Sequence, residues 1–155
     1  MKEGLERKDA IALNRKQKKA LVKRDRSHGI LVYAGDQAVG WCQYGPKEEL
    51  PRIDSGRNYS KLDLPPDQDR KLWRLTCFFV DRNFRKKGVA RVALKAALDS
   101  IQRQGGGIVE AYPPTSKEGG SWSLWFGTVA MFEREGFKAH AKLGEKHLLM
   151  RKALA

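Results

Sequence analysis

Residues 72–112 read LWRLTCFFVDRNFRKKGVARVALKAALDSIQRQGGGIVEAY, and the order of signals within them decides the fold. Leu72–Val80 is the most apolar strand candidate of the chain, suited to a buried central position in a sheet. A polar turn, Asp81-Arg82-Asn83-Phe84, follows it. From about Gly88 to Gln104, the pairs Val89/Ala90, Ala93/Leu94 and Ala97/Leu98, then Ile101, recur at helical spacing. Gly105-Gly106-Gly107 stops that helix, and Ile108–Tyr112 is a second strand closed by Pro113-Pro114. Strand, helix and strand in this order make a βαβ unit, so the two strands are expected to be adjacent and parallel.

The flanking sequence adds antiparallel elements. Ile30–Ala34 reads as a strand, Gly35-Asp36 as a two-residue hairpin turn, and Ala38–Tyr44 as the return strand. Before them, Leu5–Arg26 reads as a helix with an imperfect apolar face. Residues 45–71, with Pro46, Pro51, Pro65 and Pro66, form a long loop with a short helix near 47–52. Residues 113–121 are loop. Trp122–Glu135 reads as a helix with Trp125, Phe126, Val129 and Phe132 inward and Gly136 as its carboxyl-terminal cap. Two short strands, 137–141 and 147–151, close the chain.

At 155 residues and 41% hydrophobic, the chain has the size and apolar content of one domain, 1–155. No apolar run approaches the ~20 residues that span a bilayer, and the first residues lack an apolar signal core, so cytoplasmic residence without a membrane is expected. Cys42 and Cys77 are too few for a disulfide framework, and His28, His140 and His147 have no metal-ligand spacing, so no metal is expected. The net charge of +13 attracts polyanions. Residues 1–26 hold ten basic and four acidic side chains, and residues 82–95 hold six basic and none acidic.

The second cluster, Arg85-Lys86-Lys87-Gly88-Val89-Ala90, lies where the central strand hands over to the helix. The first backbone N–H groups of a helix lack intrahelical partners and carry roughly half a positive charge. A glycine there removes the Cβ that would hold a phosphate away from them. The physics describes a pyrophosphate cradle. The dinucleotide fingerprint and the phosphate loop ending in Lys-Ser/Thr are both absent.

Leu75–Val80 followed by Arg85-x-x-Gly88-x-Ala90 at a helix start resembles the coenzyme-A-binding motif of the GNAT superfamily of N-acyltransferases. Phe132-Glu133-Arg134-Glu135-Gly136-Phe137 is similar to that superfamily's second landmark, a helix ending in aromatic-x-x-x-Gly-Phe. The resemblance runs from about Ile30 to Met150. It implies a mixed, mostly antiparallel sheet with one splayed parallel strand pair and flanking helices. It also implies transfer of an acetyl group from acetyl-CoA to a primary amine.

Carried over by position, the resemblance has Phe78 and Val80 bonding the pantetheine arm through their backbone. It gives the pyrophosphate to the N–H groups of Arg85, Lys86, Lys87, Gly88, Val89 and Ala90, and sets the thioester beside Glu110 and Phe132. Glu110 and Tyr112, two apart on a strand and so on one side of it, are the candidate base and acid. Phe132 stands where many members carry a tyrosine whose hydroxyl protonates the thiolate, and only one helical stretch precedes Ile30 where the family has a strand and two helices. An acceptor amine is the expected partner, and the shortened front end leaves room for a second subunit in a homodimer. Two other readings stand beside the enzyme: a basic nucleic-acid-binding module and an acyl-CoA-binding protein without catalysis.

Overall fold

The βαβ unit forms where the sequence puts it. The computed structural model describes residues 7–64, 70–116 and 125–155. Its strands are β1 (His28–Ala34), β2 (Gln37–Pro46), β3 (Leu72–Val80), β4 (Gly107–Ala111), β5 (Lys138–Leu143) and β6 (His147–Leu154). Its helices are α1 (Arg7–Lys23), α2 (Val89–Arg103) and α3 (Val129–Arg134). The six strands form one sheet in the order β1-β2-β3-β4-β6-β5, antiparallel throughout except for β3–β4.

The parallel pair is short. Leu72, Trp73 and Arg74 sit opposite Ile108, Val109 and Glu110, and the pairing goes no further, while β3 runs on to Val80. On its other side β3 stays bonded to β2 as far as Val80, with a register shift that leaves Thr76 without a cross-strand partner in β2. The two parallel strands therefore part, and from Leu75 onward β3 presents an edge.

Alternation along the strands separates the two sheet faces. Cys42, Tyr44, Trp73, Leu75 and Phe78 are buried on one face against Ala93, Leu94, Ala97, Leu98 and Ile101 of α2. Phe132 of α3 joins this core, packed edge-to-face on Phe78 and Phe137. The opposite face carries Trp41, Gln43, Arg74 and Glu110. There Lys18 of α1 lies 5.4 Å above the Trp41 ring, and Tyr59 of the long loop reaches Glu110. That loop is not structureless: Lys47–Glu49 and Pro51–Ile53 are single 3-10 turns.

The structure corrects two expectations. The helix expected over Trp122–Glu135 begins only at Val129, because Gly127 takes a φ of +77° and Thr128 caps the first turn by accepting from the Met131 N–H at 3.2 Å. Trp125, expected inward, is more than half exposed. Trp122 lies outside the described residues. Among the described residues no helix is long and apolar enough to cross a membrane, and no group of three or more His, Cys, Asp or Glu side chains is placed to hold a metal ion.

Gly40 sets the seating of α2. A Cβ there would lie 2.4 Å from Cγ1 of Val89 and 3.3 Å from the Phe79 carbonyl oxygen. Gly40→Ala should therefore cost about 1–3 kcal/mol in a urea titration through overpacking. Adding Val89→Ala should recover most of the loss. Equal stability of wild type and Gly40→Ala would show that α2 is not held at this distance.

Candidate active site

Where β3 and β4 part, a cleft of about 570 Å³ opens between the end of β3, the Arg85–Gly88 turn, the first turn of α2 and the segment leading into α3. Of the residues expected to hold coenzyme A, Phe78, Val80, Arg85, Lys86, Gly88, Val89 and Ala90 line it. Lys87 does not; its ammonium lies 5.5 Å from the Phe84 ring centre. Phe132 is also absent from the wall, being fully buried behind it. Sequence reasoning missed Trp125, Gly127, Thr128, Met131 and Arg134, which form the opposite wall.

Among the described residues, Arg85, Lys86, Arg91 and Arg134 line this cleft and no carboxylate does, with Arg91 paired outside the lining to Glu135 at 2.9 Å. Lys86 and Gly88 both take positive φ, +60° and +79°, the kind of backbone from which anion-binding nests are built. Gly88 is the residue before α2, no side chain caps the helix there, and its Cβ position is open, with no protein atom within 4 Å. An unpaired helix amino terminus, an open cradle and four cations suit a pyrophosphate. Beside it, the free edge of β3 offers backbone groups to an extended amide-bearing chain.

On the other sheet face, Glu110 is fully buried and crowded by donors. Arg151 gives its Oε1 two bonds, at 3.0 and 2.6 Å. The Tyr59 hydroxyl lies 3.0 Å from both oxygens, and the Tyr112 hydroxyl donates to Oε2 at 2.9 Å. The Arg74 guanidinium, also fully buried, stands 3.8 Å from Oε2 and is held by Asp54 through two bonds at 3.0 and 2.7 Å. Asp54 in turn has its pKa lowered, chiefly by that hydrogen bonding.

This geometry changes the reading of the expected base and acid. To accept a proton, Glu110 would have to give up one of these bonds. Burial and the neighbouring Glu110 charge push the Tyr112 hydroxyl far above its ordinary pKa, so a tyrosinate beside that carboxylate is strongly disfavoured. Each is the other's partner. The signal for this network was Arg74, a cation in an otherwise apolar strand, which demands a carboxylate. Tyr59 had no signal within its irregular loop.

The cysteines are held away from reactivity. Burial raises the pKa of both thiols, and Cys77 is half-buried beside Trp41. His147 stacks edge-on to Phe126, and its buried Nε2 has no hydrogen-bond partner among the described residues.

The family model described as acetyltransferase (GNAT) family matches residues 3–118. No curated protein sequence matches the chain. Among solved structures, the ribosomal-protein-alanine N-acetyltransferase from Brucella melitensis superposes with a TM-score of 0.59 at 21% identity, covering 91% of this chain and 77% of that one. The PaiA N-acetyltransferase from Thermoplasma acidophilum, crystallised in complex with coenzyme A, gives 0.57 at 11% identity over 88% and 67%. At these identities the likeness is one of fold.

If Glu110 acts as a clamp, Glu110→Gln removes the buried charge that Arg151, Tyr59 and Tyr112 bond, and should cost ~3 kcal/mol in ligand-free unfolding. A base whose role is only chemical would leave the unfolding midpoint unchanged and lower turnover by about 10²–10⁴.

Proposed function

Because the chain belongs to the acetyltransferase (GNAT) family, we propose that it transfers the acetyl group of acetyl-CoA to a primary amine by direct attack in a ternary complex. The observation that carries this reading is the cleft at the amino terminus of α2, lined among the described residues by cations and no carboxylate, beside the unpaired edge of β3. In it the N–H groups of Arg85 to Ala90 hold the pyrophosphate, with Arg85, Lys86, Arg91 and Arg134 supplying countercharge. The backbone of Phe78 and Val80 pairs with the pantetheine arm. Phe132 contributes from behind, packing Phe78 into place. We read residues 1–155 as one such domain, since β5 and β6, beyond the matched residues, are bonded into the same sheet.

When bound, acetyl-CoA supplies the thioester carbonyl that the amine attacks. The chain's own task is to align the two reactants and exclude water. Because Glu110 is engaged with Tyr112, Tyr59 and Arg151, solvent takes the amine's proton. Activity should then rise with pH towards the acceptor amine's own pKa. Phe132 carries no proton to give, and a thiol pKa of about 8.5 makes protonation of the departing sulfur dispensable. The raised thiol pKa values leave neither cysteine poised as an acyl carrier. The crowded Glu110 and the absent tyrosine hydroxyl also favour a second reading, a binder of acyl-CoA without turnover.

Acetyl-CoA should raise the unfolding temperature of the wild type. Gly88→Glu, which sets a Cβ and a negative charge into the cradle at a positive φ, should abolish that shift. Lys87→Ala should reduce it only modestly, and more at low salt. Release of free thiol from acetyl-CoA with a panel of primary amines separates the two readings. Stabilisation without any amine-dependent thiol release would establish the non-catalytic binder.

Cys77→Ala should leave turnover per folded molecule nearly intact. An acetylated cysteine that forms on mixing with acetyl-CoA and discharges to amine at the catalytic rate would overturn direct attack.

A further inference from the structure

We propose that α1 and the sheet face beneath it are a docking site for single-stranded nucleic acid. The inference stands apart from acetyl transfer. It starts from a helix that the core does not explain: α1 is 17 residues long and buries none of its side chains. It carries seven Lys and Arg against one carboxylate, Asp9, and five of the seven fall between Arg15 and Lys23. Among the described residues, none of these seven makes an ion pair. Unneutralised charge at this density serves a polyanion.

The apolar side chains of α1 argue against a lipid surface. At 3.6 residues per turn, Leu13 lies about half a turn round from Ile11 and Val22. They do not form the single stripe that an interfacial helix presses into a bilayer. Ile11 and Val22 are both more than half exposed, and cations surround them.

The sheet face supplies a second feature. Trp41, under Lys18, has Leu31 opposite it in β1 and Phe79 opposite it in β3, so all three side chains share the α1 face. Tyr33, two residues beyond Leu31, follows the same alternation. Leu31 and Tyr33 are each 57% exposed and Phe79 is 50% exposed. Cations that track a phosphate backbone beside exposed aromatic rings are what binds unpaired bases, because every base has a stacking face. A duplex hides those faces, and an acidic protein would leave the rings without that use.

The test is fluorescence anisotropy of a labelled RNA of about 20 unpaired nucleotides against the full chain across a salt series. Binding should weaken with salt by about 0.7 log units per phosphate contact for each log unit of salt. Lys16→Glu/Lys19→Glu/Lys23→Glu, all solvent-facing, should lose at least ~30-fold in affinity and flatten the salt slope by about 2. Its thermal shift with acetyl-CoA should match the wild type, which shows that it is folded. Tyr33→Ala should lose about fivefold or more on the single strand and little on a duplex of equal charge. Unchanged RNA affinity in the triple variant would overturn the proposal. So would equal or tighter binding to duplex RNA, polyglutamate or phosphatidylserine vesicles.

Discussion

The rest of the molecule depends on where β3 and β4 stop pairing. Their last shared rung is Arg74 with Glu110, and Glu110 is also opposite Arg151 in β6. Burying these charges has a desolvation cost that only dense partnering offsets. Asp54 and Tyr59 supply the partners from the long loop, and Tyr112 supplies one from just beyond β4. The last rung is thus fastened on the loop face. Beyond it β4 stays with β6 and β3 stays with β2, and the cleft lies at the far end of β3 against the start of α2. One arrangement ties down the irregular loop and leaves the end of β3 with a free edge.

The two faces divide the work by charge. On the α2 side the cleft is lined by cations and by a helix start with no side-chain cap and open space at Gly88, a setting suited to an anion. On the other side the strong donors and acceptors are already engaged with one another. In this division Glu110 stands among its own partners on the face away from the cleft.

How much of this was legible in the sequence followed from periodicity. The apolar run of β3 and the helical repeat of α2 are strong signals, and both elements formed within a residue or two of expectation. The hairpin of β1 and β2 was equally plain from its Gly35-Asp36 turn. The start of α3 was misread because Gly127-Thr128 was taken as helix interior, when a breaker followed by a capping threonine marks a boundary. Phe132 was placed at the thioester by its position in a motif, but its burial is a tertiary property that spacing cannot express. Two partners of Glu110, Tyr59 and Arg151, come from distant parts of the chain, beyond the reach of any local pattern.

That separation bears on how the chain reaches its native state. Tyr59 and Arg151 meet Glu110 across 51 and 41 positions of sequence. The β1–β2 hairpin and α2 are local and can form on a microsecond scale, whereas the rung at Glu110 needs three distant segments together. Until all have arrived, the carboxylate is better off hydrated. The sheet should therefore close at this rung late and in one cooperative event, and a partly assembled chain has no cleft to offer.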